Sequence, residues 1–182
     1  MSALPRSKFT VDEFLAWAEH QPGRYELLDG EILAMSPERS RHALIKFAIA
    51  NELGRAVKQA GLSCIVYPDG MTIRIDKSKA FEPDALVRCG TPLDDDAIEV
   101  PDPLIVVEVL SPSTRDYDVS YKLAGYFQVP SIQHYLIIDP KRRPVVHHQR
   151  QADGTILTRL VQAGVMRLDP PGLDVDTDAF FH

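Results

Sequence analysis

The fold is predicted most directly from one segment, Leu104-Ile105-Val106-Val107-Glu108-Val109-Leu110. This apolar run, broken only at Glu108, is typical of a central β-strand covered on both faces. An ionised carboxylate inside such a strand is costly unless it is paired or binds a metal. Glu108 is therefore either a metal ligand or a residue at a strand end that pairs with an arginine such as Arg115.

The segments around this strand alternate between β and helical patterns. Before it, residues 40–60 carry apolar side chains every three or four positions, which predicts the longest helix, with Gly61 as its C-cap. After it, residues 116–129 return to helical spacing until Pro130 ends the helix. Short apolar segments predict further strands at residues 63–67, 71–75, 85–87, 134–139, 144–149 and 155–161.

The N-terminal part adds a helix and a hairpin to this core. Thr10 followed by apolar residues at helical spacing predicts a short helix, and Asp29-Gly30 between two apolar segments is a strong hairpin signal. The order of elements predicts an α/β fold, with a mixed sheet flanked by helices. Because 182 residues suffice for one well-buried core, we expect a single domain over residues 1–182.

The composition is close to that of an average globular protein, with 45% apolar and 25% charged residues. No apolar run approaches the ~20 residues of a membrane helix, and the N-terminus lacks the apolar middle of a secretory signal. We therefore expect a cytoplasmic protein with no membrane partner. The two cysteines, Cys64 and Cys89, lack C-x-x-C spacing, so we expect unpaired strand thiols without zinc or redox chemistry.

Proline followed by aspartate occurs three times, and the context of each pair differs. Pro68-Asp69 predicts a turn, and Pro101-Asp102 predicts a loop. Only Pro83-Asp84 runs directly into a β-like segment, where a carboxylate can be held on a rigid element. Asp84 and Glu108 on neighbouring strands would make a hard-oxygen site for Mg²⁺ or Mn²⁺.

Several motifs along nearly the whole chain together resemble a known family. They are Tyr25-Glu26-Leu27-Leu28-Asp29-Gly30-Glu31, Glu82-Pro83-Asp84, Val107-Glu108-Val109-Leu110-Ser111-Pro112-Ser113-Thr114, Asp118 with Lys122 and Tyr126, and His134-Tyr135 to Asp139-Pro140. The sequence resembles the Uma family of "putative restriction endonucleases", a branch of the PD-(D/E)XK nuclease superfamily. This resemblance implies a restriction-endonuclease-like fold and nuclease activity.

The position of the lysine departs from the superfamily pattern, which places Lys two residues after the strand Glu. This chain has Leu110 there. Lys122 resembles the relocated lysine of the Uma family, on the helix that follows the strand. Helical spacing sets Asp118, Lys122 and Tyr126 on one face, which can turn toward the carboxylates. The alternative is a surface ion pair between Asp118 and Lys122.

Further candidate site residues come from the hairpin, the long helix and the second helix. Glu26 and Glu31 flank the hairpin turn, with a solvated strand face as the alternative. His42 begins the long helix, where the fold often supplies an active-site residue, or is a surface histidine. Tyr126 is either a phosphate contact or a core aromatic, and residues 141–143 are either a DNA contact or a charged turn.

These residues predict an Mg²⁺- or Mn²⁺-dependent endodeoxyribonuclease with Asp84, Glu108 and Lys122 as catalytic residues. The carbonyl of Val109 is expected to complete the metal ligands. The net charge of −6 disfavours a general nucleic-acid binder but not a nuclease, because metal-holding carboxylates are themselves negative. Two alternatives remain open: a catalytically inactive nucleic-acid-binding or regulatory module, and an α/β scaffold. We expect DNA as the substrate. Because cutting both strands of a duplex usually calls for two active sites, we also expect a C₂ homodimer.

Overall fold

The computed structural model describes residues 8–111 and 118–181. In this part of the chain three α-helices, twelve strands and two shorter helical turns follow one another. In order they are α1 (Val11–Ala18), β1 (Tyr25–Leu28), β2 (Glu31–Ala34), α2 (Ser40–Ala60), β3 (Cys64–Pro68), β4 (Ile73–Asp76), β5 (Lys79–Phe81), β6 (Ala85–Cys89), β7 (Ile105–Val109), a π-helical turn (Asp118–Lys122), α3 (Leu123–Tyr126), β8 (His134–Ile138), β9 (Val145–Arg150), β10 (Ile156–Val161), β11 (Val165–Leu168), β12 (Leu173–Asp176) and a 3₁₀ turn (Thr177–Phe181).

A six-stranded mixed sheet in the order β10-β9-β8-β7-β6-β3 forms the centre of the molecule. Strands β7 and β8 are parallel, and the other neighbours are antiparallel. All five residues of β7 are buried, as expected for an apolar strand covered on both faces. The predicted mixed α/β sheet is confirmed.

Helix α2 covers one face of this sheet. It buries Ile45, Ile49 and Leu53 in a core shared with β11, β12 and the alternating residues Val107 and Val109 of β7. The helix ends at Gly61, whose φ of 63° lies in the left-handed region where glycine is favoured. The opposite face packs against α3 and the aromatic residues around it.

A second sheet, in the order β2-β1-β5-β4, lies beside α1 and contains the predicted hairpin. Thr10 and Glu13 form a capping box at the start of α1. Asp29 and Gly30 both have positive φ, 49° and 82°, which a two-residue hairpin turn requires. The predicted N-terminal helix and hairpin are therefore confirmed, whereas β5, β11 and β12 had no clear signal in the sequence.

The prediction of unpaired cysteines is wrong, because Cys64 and Cys89 form a disulfide bond. The antiparallel register of β3 and β6 places the two residues directly opposite each other. Disulfides are rare in the reducing cytosol, and the cytoplasmic location stays a prediction. No helix in residues 8–111 or 118–181 is long and apolar enough to cross a bilayer.

The second predicted helix is shorter than residues 116–129. Residues 116 and 117 lie outside the described part, and the helix that follows ends at Tyr126. Beyond it the amides of Gln128 and Val129 bond to carbonyls three residues earlier. A tight turn therefore replaces the last helical turn before Pro130, which disfavours helical geometry in the residue preceding it.

Candidate active site

Asp84 and Glu108 lie side by side at one edge of the central sheet. Ala85 pairs with Val107, and the amide of Asp84 donates to the Val107 carbonyl at 3.0 Å, so Asp84 stands opposite Glu108. The two residues are 5% and 4% exposed. The amide of Val109 donates to Asp84 Oδ2 at 2.6 Å. The antiparallel register thus places the two predicted residues opposite each other, with Asp84 just before β6 and Glu108 within β7.

Lys122 and Tyr126 both contact Glu108 from the following helical segment. Lys122 Nζ and the Tyr126 hydroxyl donate to Glu108 Oε1 at 2.8 and 2.5 Å. Lys122 is only 3% exposed, so it is not a surface lysine. The side chain of Asp118, its partner in the alternative interpretation, lies outside the described part. Burial and the charge of Glu108 raise the pKa of Tyr126 well above its usual value, so the hydroxyl remains a hydrogen-bond donor.

Glu26 joins this cluster from the second sheet, whereas Glu31 does not. Glu26 Oε1 lies 2.9 Å from Lys122 Nζ and accepts from the backbone amide of Glu82 at 2.9 Å. Glu26 is 4% exposed, so the solvated-face interpretation is wrong for this residue. Glu31 is exposed at the start of β2, which is the solvated position given as its alternative.

His42 reaches the site from the first turn of α2. Its Nε2 lies 2.6 Å from the Val109 carbonyl and 3.9 Å from Asp84 Oδ2, and its Nδ1 lies 2.8 Å from Glu38 Oε1. A carbonyl and a carboxylate oxygen are both hydrogen-bond acceptors, so each ring nitrogen of His42 faces an acceptor. The carbonyl of Val109, predicted as a metal ligand, therefore has one lone pair engaged by His42.

Lys46 is a site residue that sequence reasoning missed. It follows His42 by one helical turn and is 7% exposed, with Nζ at 3.0 Å from Asp84 Oδ1, 2.6 Å from Asp69 Oδ2 and 2.7 Å from Glu38 Oε1. Burial alone would lower the pKa of Lys46, but these carboxylates outweigh it and raise the pKa above its usual value. Lys46 is thus held as a cation against Asp84.

Asp69, Arg24 and Glu82 extend the polar cluster. Pro68-Asp69 ends β3 at a turn, but the Asp69 carboxylate also bonds to Arg24, which the turn interpretation did not anticipate. Arg24 Nε donates to Glu82 Oε2 at 2.9 Å. Burial raises the pKa of Glu82, and the charge of Arg24 opposes this rise.

The described cluster contains more negative than positive groups. Six carboxylates face three lysine or arginine cations, which leaves a formal surplus of three negative charges when His42 is neutral. The members are Arg24, Glu26, Glu38, Lys46, Asp69, Glu82, Asp84, Glu108 and Lys122. Within the described residues no group of three or more His, Cys, Asp or Glu side chains has the arrangement of a preformed metal cluster. A cation would instead be held by the paired carboxylates of Asp84 and Glu108 and the Val109 carbonyl.

The fold is shared with a solved structure and the sequence matches a family model. A crystal structure described as "a putative nuclease belonging to DUF820", from Anabaena variabilis, superposes with a TM-score of 0.75 at 17% sequence identity, covering 95% of this chain and 97% of that one. The chain belongs to the Uma2 family, described as "Putative restriction endonuclease", whose model matches residues 11–178. This membership confirms the resemblance and supports a nuclease.

Two Synechocystis proteins are also similar to this chain along most of their length. Protein slr1290 is 29% identical over 182 residues, covering 98% of this chain and 94% of that protein. Protein sll1609 is 28% identical over 156 residues, covering 84% and 87%. Both are described as uncharacterized, so they add to the family relationship and not to the activity.

Proposed function

We propose that this protein is an Mg²⁺- or Mn²⁺-dependent endonuclease that hydrolyses phosphodiester bonds in DNA. The observation that carries the proposal is the buried pair Asp84 and Glu108, held opposite each other by strand register. Two buried lysines stand against these carboxylates, Lys46 on Asp84 and Lys122 on Glu108. Membership of the Uma2 family supports the nuclease class.

The donor set fits a hard divalent cation. Mg²⁺ and Mn²⁺ prefer carboxylate and carbonyl oxygens, which Asp84, Glu108 and Val109 offer at one edge of the sheet. The formal negative surplus of the cluster favours an additional cation over further anions. When bound, such a cation supplies a coordinated water of lowered pKa and stabilises charge on a phosphate.

The protein's own groups position the carboxylates and the phosphate. The Val109 amide and Lys46 fix the two oxygens of Asp84, and Tyr126 and Lys122 hold Glu108. We assign to Lys122 the electrostatic role of the strand lysine that Leu110 replaces, because its ammonium lies against Glu108. His42 contacts the Val109 carbonyl and places its imidazole beside Asp84.

A non-catalytic nucleic-acid-binding or regulatory module is the second candidate. The observation that favours it is that the ammonium groups of Lys46 and Lys122 already engage an oxygen of each key carboxylate. In that case the lysines would serve as fixed counter-ions, and the fold would bind without turnover. A homodimer remains a proposal for either function, and a concentration-independent monomer mass in solution would exclude it.

Cleavage assays separate the two candidates. Purified protein is incubated with duplex, branched and single-stranded DNA, with Mg²⁺ or Mn²⁺, across a range of salt. We expect cleavage by the wild type and by Glu31→Gln, which alters an exposed carboxylate outside the cluster, and its loss in Asp84→Asn and Glu108→Gln. Equal cleavage by Asp84→Asn, or none by the wild type on every substrate, would contradict the proposed activity.

A further inference from the structure

A basic cavity of about 510 Å³ opens beside the candidate active site. Its lining includes four cationic residues, Arg41 from α2 and Lys141, Arg142 and Arg143 from the turn after β8, and no acidic residue of the described chain. This concentration of positive charge contrasts with the net charge of −6 of the whole protein. The cavity therefore presents a local surface suited to an anion.

The four cations remain largely exposed to solvent. Arg142 is 76% exposed with Nε 3.8 Å from Asp139, and Arg143 is 61% exposed with Nη1 3.4 Å from Asp178. Pairs of this length and exposure contribute little energy. No carboxylate of residues 8–111 or 118–181 lies within ion-pair distance of Arg41 or Lys141. These side chains can consequently turn toward a ligand at little cost.

The cavity is built from ordered elements on both sides. Asp139, 8% exposed, accepts from the Lys141 amide at 2.9 Å through Oδ1 and from the Arg142 amide at 3.1 Å through its carbonyl. These bonds hold the turn that carries the three cations. Opposite it, Ser40 begins α2, whose first turn contains no acidic residue and whose N-cap makes no side-chain bond, so the positive end of the helix adds to the same field.

The walls of the cavity are connected to β7, a strand of the candidate active site, and to its neighbour β8. Arg41 precedes His42, whose imidazole contacts the Val109 carbonyl. On the other side, Ile138 at the end of β8 pairs with Val109 in the parallel register, and Asp139 and the basic turn follow it. One wall of the cavity, the first turn of α2, thus contacts the carboxyl end of β7 through His42, and the other wall follows the carboxyl end of β8.

We propose that this cavity binds a backbone phosphate of the DNA strand that enters the active site, next to the phosphate that is cut. The inference rests on the proposed function, because it takes DNA as the ligand. Guanidinium and ammonium groups on two ordered elements match the diffuse charge of a phosphodiester chain. Such contacts fix the register of the strand without reading its sequence.

Binding measurements without turnover test this proposal. Fluorescence anisotropy of a short labelled duplex is recorded in EDTA over a range of NaCl for the wild type and for the triple variant Lys141→Ala, Arg142→Ala, Arg143→Ala. We expect binding to weaken at least about tenfold at about 0.1 M salt. The slope of log K against log salt should become shallower by about 0.9 for each phosphate that the variant no longer neutralises. Arg41→Ala alone, on the opposite wall, should weaken binding in the same direction by a smaller factor.

A matched triple variant distinguishes the effect of this cavity on DNA binding from the effect of the total positive charge. Lys58→Ala, Lys77→Ala, Arg159→Ala removes the same charge from exposed positions outside the cavity and should bind like the wild type. Equal weakening in the two triple variants, or no binding by the wild type, would overturn the phosphate site. Cleavage is measured separately from binding. Loss of binding only in the cavity variants supports the phosphate site even if no substrate is cut. Cleavage together with unchanged binding in those variants supports the nuclease activity and contradicts the phosphate site.

Discussion

Lys122 Nζ lies 2.8 Å from Glu108 Oε1, although 14 positions separate the two residues. The same ammonium lies 2.9 Å from Glu26 Oε1, so one buried cation compensates carboxylates from two sheets. Lys122→Met should therefore lower the free energy of unfolding by about 3 kcal/mol, because it leaves uncompensated buried charge. Turnover should fall at least about a hundredfold, as expected when an electrostatic group is removed from an active site. Denaturant unfolding and single-turnover cleavage measure the two effects.

The double variant Lys122→Met, Glu26→Gln separates stability from catalysis. Neutralising Glu26 removes one uncompensated charge, so part of the stability should return while turnover stays low. Both variants are assayed at a temperature where circular dichroism shows that they are folded. Wild-type turnover in folded Lys122→Met would remove Lys122 from the mechanism.

Gly125→Ala should destabilise the contact that presents Lys122 and Tyr126 to Glu108. A Cβ at position 125 would lie 2.5 Å from Phe81 Cε2, and Phe81 packs edge-on against Tyr126 at a centroid distance of 5.4 Å. We expect a loss of about 1–3 kcal/mol in the free energy of unfolding and reduced turnover. Gly54→Ala in α2 is the control, since its Cβ would meet nothing within 4 Å and alanine favours a helix by up to about 1 kcal/mol. Equal stability changes in the two variants would contradict this packing.

Two buried histidines should make the protein less stable in weak acid. Burial lowers the pKa of His134 to about 4, and burial with the charge of His134 lowers that of His147 to about 3. Below the unfolded pKa of about 6.5 the unfolded chain gains protons that the folded chain does not take up. Stability should thus be unaffected by these groups above about pH 7 and fall as the pH drops from 6.5 toward 4, by up to about 1.4 kcal/mol per pH unit for each histidine.

Unfolding titrations between pH 6.5 and 5 measure this dependence. His147→Gln should show a shallower decline with falling pH, whatever its stability at neutral pH. His20→Gln, at an exposed position, should follow the wild type. Identical pH slopes in His147→Gln and the wild type would show that His147 does not remain neutral in the folded state.

The bond between Cys64 and Cys89 should stabilise the protein under oxidising conditions. It closes a sequence separation of 25 residues, for which chain entropy predicts about 3.5 kcal/mol. Cys64→Ser, Cys89→Ser should be less stable than the oxidised wild type and similar to the reduced wild type. A thiol titration in denaturant without reductant should find no free thiol in the wild type, and two per chain would contradict the bond.

Local sequence patterns sufficed for much of the fold and for the central carboxylates. The Asp29-Gly30 turn and the Gly61 cap depend on backbone angles that few residues adopt, so the residue type predicts the conformation. Asp84 was predictable because a β-like segment follows it directly, and Glu108 because it interrupts an apolar strand pattern. The antiparallel register of β6 and β7 then places these two residues opposite each other.

The missed residues depend on contacts between distant segments. Lys46 has the pattern of an ordinary helix lysine, and its burial is decided by Asp69 and Asp84 from other elements. Its spacing of four from His42, on the same helix face, was the available signal. Asp69 occupies a predicted turn, but its partner Arg24 lies 45 positions earlier, and turn chemistry does not predict such a contact.

We propose Asp84 and Glu108 as the cation site of a nuclease. Anomalous scattering from crystals soaked in Mn²⁺ tests it most directly, with Asp84→Asn crystals as the comparison. We expect an anomalous peak within bonding distance of the carboxylates of Asp84 and Glu108 in the wild type, and its loss in Asp84→Asn. No peak at these carboxylates in protein that cleaves DNA with Mn²⁺, or the same peak in Asp84→Asn, would contradict it.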